Sequence, residues 1–157
     1  MTSSSHFSEA AASSTPGPAD GRQPRSGCGA AIVQEGRIML LQRLRDPEAG
    51  CWGLPGGKID WMETVEHAIR REVEEELGIE LGTTTLLCVV DHFEPELGQH
   101  WISPVHLATD FTGEPQLREP EKHAAFAWFA LDSLPTELTS STTAALAALA
   151  ARAPHAL

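Results

Sequence analysis

The stretch that decides the fold runs from Gly57 to Ile79 and reads GKIDWMETVEHAIRREVEEELGI. Pro55, Gly56 and Gly57 lead into it, a trio that permits a sharp turn and close backbone approach. Thr64 is placed to cap a helix N-terminus, Glu66 falls in the positive first turn, and Gly78 suits the left-handed residue that ends a helix. Between these stops Val65, Ala68, Ile69, Val73 and Leu77 recur at helical spacing, which predicts a core-facing stripe.

The opposite side of that helix is energetically odd. Glu72, Glu75 and Glu76 stand at i, i+3 and i+4, so three carboxylates share one side near the C-terminus. Each like-charge neighbour costs roughly 0.2–0.5 kcal/mol, and each clash with the helix dipole roughly 0.3–1 kcal/mol. A helix selected for stability alone would carry lysine there. The cluster is either a solvated acidic face or a site for a hard cation. The glycine loop at a fixed distance favours the cation, since Mg²⁺ takes carboxylate oxygens together with water and substrate phosphates.

The stretch resembles the signature of the Nudix hydrolases. Gly57, Glu63, Arg71, Glu72, Val73, Glu75, Glu76, Gly78 and Ile79 fill each specified position of that pattern. The resemblance implies an α/β fold, an α/β/α sandwich around a mixed sheet, and hydrolysis of a diphosphate linkage in a nucleotide. It also implies Mg²⁺ or Mn²⁺ held by Glu72, Glu75, Glu76 and the Gly56 carbonyl. Glu63 and Arg71 become an ion pair that braces the loop, and Gly57 and Gly78 structural glycines.

A second resemblance concerns the order Gly113-Glu114-Pro115, then Glu119-Pro120-Glu121-Lys122, then Trp128. It is similar to the mutator-type nucleoside triphosphate pyrophosphatases, in which a loop glutamate approaches the metals. Glu119 is the first candidate for that role and Glu121 the second. The general base is then Glu72, Glu75 or Glu119, taking a proton from the attacking water. No serine or cysteine stands beside an evident base, so a covalent nucleophile is not indicated.

Composition narrows the partners. The 157 residues carry a formal charge of −11 and a pI near 4.9, which disfavours a nucleic-acid groove or an anionic membrane. A small nucleotide is the expected partner, and an acidic protein needs cations between itself and phosphate. Cys28, Cys51 and Cys88 form no zinc or disulfide pattern. With no transmembrane-length apolar run and no signal peptide, the expectation is a soluble cytoplasmic protein.

Along the chain, residues 1–26 are rich in Ser, Ala, Pro and Gly and read as a disordered extension, with one domain over residues 27–153. Strands are expected over 28–33 and 37–41 around a turn at 34–36, then a short one near Trp52. Arg43 and Arg45 are surface charges or phosphate contacts at the mouth of a site. A strand over 83–93 should be largely buried on both faces, and Pro104 places its strand at an edge or bulge. The last strand covers 125–130. Ser140 or Ser141 caps a final alanine-rich helix held by Leu146 and Leu149. His92, His100 and His106 lack metal-site spacing, and Trp61, Trp101 and Phe93 are candidate pocket walls. The edge strands and the last helix offer a surface for a homodimer.

These readings converge on cleavage of a nucleoside or deoxynucleoside triphosphate to monophosphate and pyrophosphate, of the kind that cleanses the nucleotide pool. The alternative is an ADP-ribose or nucleotide-sugar pyrophosphatase, towards which Pro95 points. A non-catalytic nucleotide-binding module is the third, opposed by the complete set of signature glutamates.

Overall fold

Alternation along two central strands sets the architecture. In the computed structural model, which describes residues 22–152, β1 (Arg25–Gln34) and β2 (Arg37–Arg43) form a hairpin. Ala30, Ile32, Met39 and Leu41 point into one core cluster, while Ala31, Val33, Ile38 and Leu40 point into another. Each cluster is closed by one helix. Helix α1 (Val65–Leu77) supplies Ala68, Ile69, Val73 and Leu77 to the first, and α2 (Ser140–Arg152) supplies Ala145 and Leu149 to the second. A sheet buried on both sides between helices is an α/β sandwich.

The remaining strands are β3 (Trp52–Gly53), β4 (Gly56–Lys58), β5 (Glu80–Leu81), β6 (Thr84–Glu94), β7 (Gln99–Ala108), β8 (Phe111–Thr112) and β9 (His123–Ala130). The main sheet has the order β3-β2-β1-β7-β6, with β4 added on β1 and β9 on β2. It is mixed, because β1 and β7 run parallel while the other pairs are antiparallel. Strand β1 pairs with β4 at Gly27–Gly29 but with β2 only at Val33 and Gln34. Where β1 and β2 part, a cleft opens beside the glycine loop.

Three expectations need correction. Strand β6 is not buried on both faces, because it is the sheet edge and its outer side chains Leu86, Val89 and Phe93 are exposed. Pro104 is in an interior strand rather than at an edge; β7 pairs with both β1 and β6, and the nearby bulge lies across from it, between Leu86 and Cys88. The cap of α2 is neither Ser140 nor Ser141: the Thr139 hydroxyl accepts the Thr142 N–H at 3.2 Å.

Strand β1 begins at Arg25, inside the segment read as extension, and β9 begins two positions earlier than expected, at His123. The extension's residues 1–21 and the chain end from 153 lie outside the described residues. Among the described residues no helix is long and apolar enough to cross a membrane.

Candidate active site

Helix α1 presents its carboxylates to the glycine loop because both of its ends are fixed. The Thr64 side chain accepts the His67 N–H, and Gly78 adopts φ 69°, donating its N–H to the Glu74 carbonyl. The loop is held just as closely. A Cβ at Gly56 would lie 2.1 Å from the Cys28 carbonyl oxygen, and one at Gly57 would lie 2.4 Å from the Glu72 carboxyl carbon. At Gly56 the obstacle is backbone, so only glycine admits that approach, whereas a side chain at Gly57 would push the Glu72 carboxylate aside.

Arg71 ties loop to helix. It grips Glu63 with two bonds of 2.8 Å, reaches the Lys58 carbonyl at 3.0 Å, and donates to Glu72 Oε1 at 3.0 Å. The paired guanidinium holds the Glu63 carboxyl far below the usual carboxylate range. With so many protein partners, Arg71 acts as a brace.

The three helix carboxylates do not share one environment, contrary to the single acidic side read from spacing. Glu76 is buried at 4% exposure on the border of the core stripe, whereas half of the Glu75 side chain is exposed and leans on Arg71 at 3.4 Å. Glu72 lies between them, against Gly57. Burial, opposed by the Gly56 N–H that Glu76 Oε2 accepts at 2.9 Å, pushes the Glu76 carboxyl well above its ordinary value. Burial also raises Glu72, against the pull of Arg71. At Gly56, therefore, it is the N–H that has a partner within the site.

The loop before β9 folds back onto this helix. The Arg118 N–H donates to the Glu76 carbonyl, and the Lys122 and His123 N–H groups both donate to the Glu119 carbonyl, each at 3.0 Å. Lys122 Nζ meets Glu119 Oε1 at 2.8 Å. Donor atoms of Glu76, Glu119 and His123 thereby come within 4.8 Å of one another. Burial lowers the His123 pKa. Glu121, two residues further on, is exposed and has no hydrogen bond or ion pair among the described residues.

Above these groups is a cleft of about 660 Å³ lined by Glu72, Glu76, Arg43, Arg45, Lys58 and Lys122, among others. Arg43 donates to the carbonyls of Pro47 and Arg45, at 2.9 and 3.4 Å, so its guanidinium is partly committed to that loop. Trp101 lines the cleft, but the other two aromatic candidates do not: Trp61 is 92% and Phe93 62% exposed. Lys122 and His123 were missed from sequence. Their only signal was adjacency to Glu119 and Glu121 at the start of a strand.

A family profile described as the NUDIX domain matches residues 23–149. The chain is 36% identical over 104 residues to a Methanocaldococcus jannaschii protein named "ADP-ribose pyrophosphatase", covering 66% of this chain and 60% of that one. It is 38% identical over 104 residues to a Mycobacterium tuberculosis protein named "Putative 8-oxo-dGTP diphosphatase 2", covering 62% and 67% respectively. The match thus spans less than two thirds of the archaeal relative. Among solved structures, a MutT NUDIX hydrolase from Burkholderia pseudomallei superposes with a TM-score of 0.80 at 61% identity, over 81% of this chain and 98% of that one.

Proposed function

The chain belongs to the NUDIX family, and from that premise we propose that it cleaves a nucleoside or deoxynucleoside triphosphate to the monophosphate and pyrophosphate, as a nucleotide-pool cleansing enzyme. The charge of the cleft carries the proposal. Four of the chain's eleven Lys and Arg residues, Arg43, Arg45, Lys58 and Lys122, line it together with Glu72 and Glu76. Glu48 and Asp60 line it as well, so basic and acidic groups balance there; in a protein of charge −11 that is a local relief of negative charge, suited to a polyphosphate carried with a cation. The relative named for 8-oxo-dGTP supports the triphosphate class.

The cofactor implied is Mg²⁺ or Mn²⁺, and the donor set fits a divalent cation. Glu76 and Glu119 converge, and Glu119 Oε2 is a buried oxygen without a partner. Those two residues would hold the ion, with Glu72 beside them; Glu75 is the outlying member of the signature set. When bound, such an ion neutralises phosphate oxygens and acidifies water.

The chain's own groups do the rest. Lys58, Lys122 and the two arginines orient the phosphates. Glu72, made more basic by burial and steadied by Arg71, takes the proton of the water that attacks phosphorus in line. A second reading, ADP-ribose as the substrate, is favoured by the name of the archaeal relative.

Steady-state hydrolysis with added Mg²⁺ or Mn²⁺ decides between them. The ratio of kcat/KM for the best triphosphate over ADP-ribose should exceed unity, since that ratio measures differential transition-state binding. A preference of about tenfold for ADP-ribose or a nucleotide sugar would install the second reading. Cleavage of no nucleotide at all would remove both and leave a binding module.

A further inference from the structure

Unpaired buried polar chemistry is concentrated in one place. Among the described residues, the buried side-chain polar atoms without a hydrogen-bond partner are two: Glu119 Oε2 and His123 Nδ1. Buried polar groups are nearly always paired, so two orphans in one cluster need a common explanation. Glu119 is on the loop before β9 and His123 is the first residue of β9, and donor atoms of both residues come within 4.8 Å of one from Glu76.

The bonds around them are arranged as supports. Each carboxylate has one oxygen tied and the other left over. Lys122 holds Glu119 Oε1 and the Gly56 N–H holds Glu76 Oε2, while Glu76 Oε1 faces His123 Nε2 at 3.9 Å. The His123 side chain is nine-tenths buried and the loop backbone is bonded to α1 and to itself. Outer bonds that fix the orientation of inner donors are the usual mark of a ligand set. Two donors each about 2.2 Å from one ion stand no more than about 4.4 Å apart. The observed limit of 4.8 Å therefore needs a contraction of only a few tenths of an ångström.

We infer that His123 is a metal ligand, supplying a nitrogen donor beside the carboxylates of Glu76 and Glu119, so that this position takes a first-row transition dication in preference to Mg²⁺. Imidazole is a poor partner for Mg²⁺, which keeps to oxygen, but a good one for the borderline metals. The inference rests on the reading of the cleft as cation-assisted and adds a ligand and an ion class to it. Nothing in the signature contains this histidine, which sits on β9.

The test is Mn²⁺ binding to the full chain, followed by electron-spin-echo spectroscopy, with Mg²⁺ as competitor. Wild-type protein should show ¹⁴N modulation from one imidazole. His123→Gln should abolish the modulation and weaken Mn²⁺ about tenfold while Mg²⁺ affinity moves less than about twofold. Glu119→Gln should weaken Mn²⁺ but keep the nitrogen signal. Bound Mn²⁺ without nitrogen coupling in the wild type overturns the inference whatever the variants do, as does coupling that persists in His123→Gln.

Activity separates this result from the hydrolase proposal. Triphosphate cleavage with a nitrogen-free Mn²⁺ spectrum leaves the hydrolase standing and removes His123 from the site. Nitrogen coupling without cleavage of any nucleotide does the reverse.

Discussion

At the scale of single residues, Glu76 and Glu63 pull stability in opposite pH directions. Burial raises the folded-state pKa of Glu76 above 4.5, so its contribution is fully present below 4.5 and is lost as pH rises through the folded value. Arg71 depresses Glu63, whose contribution is present above 4.5 and lost as pH falls. In excess chelator, Glu76→Gln should therefore gain melting temperature relative to wild type as pH climbs from 4.5 towards neutrality. A constant difference across that range would mean that Glu76 is ionised at no cost. Burial holds His106 and His123 low, an effect that costs stability only below about 6.5, which is why the difference between proteins is the quantity to measure. The loop offers a second comparison. Glu119→Gln should lower kcat by about 100-fold or more, and Glu121→Gln by less than about twofold, because only Glu119 is aimed at Glu76. The opposite ranking in steady-state kinetics would move the role to Glu121. Glu72, Glu75 and Glu76 were legible in sequence because all three lie within two turns of one helix, although spacing did not reveal that Glu76 is buried and Glu75 half exposed. His123 was not, since its place depends on a loop folding back across the cleft.

At the scale of elements, α1 was legible from end to end because each of its stops is a local chemical event: Thr64 at one end, Gly78 at the other. Helix α2 shows the limit of that method. Thr139, Ser140 and Ser141, the first of five consecutive hydroxyl residues, could each cap it, and the fold selects Thr139. Thr139 also contacts the buried Thr142 hydroxyl at 2.8 Å. Thr139→Ala should cost about 1 kcal/mol and lower the melting temperature by a few degrees, whereas Ser141→Ala should be nearly silent. Equal effects in thermal denaturation would place the cap elsewhere. Strand β6 failed for a related reason. Its apolar residues on both faces look like those of an interior strand, and its edge position follows from the order β1-β7-β6, which no local pattern contains.

At the scale of the whole molecule, the stabilising burial is contained in one stretch. The two core clusters, one under each helix, draw their buried members from Cys28 to Leu149, and the first strand starts at Arg25, where it pairs with Trp101. The NUDIX match covers nearly the same span, 23–149. Residues 1–21 have few large apolar side chains, with Met1 and Phe7 the exceptions, and a segment of that composition has little surface to bury. Deleting residues 1–21 should therefore leave Arg22 and the whole of β1 in place. The melting temperature should move by no more than about 2 °C, and kcat/KM by less than about twofold. Calorimetry and steady-state kinetics on the shortened chain check both numbers together. A fall of many degrees would show that the segment docks on the domain, and the exposed side chains of β6, Leu86, Val89 and Phe93, would be the first place to look for its contact. A loss of turnover with the melting temperature unchanged would instead bring the segment to the cleft, and the domain boundary would have to move towards the N-terminus.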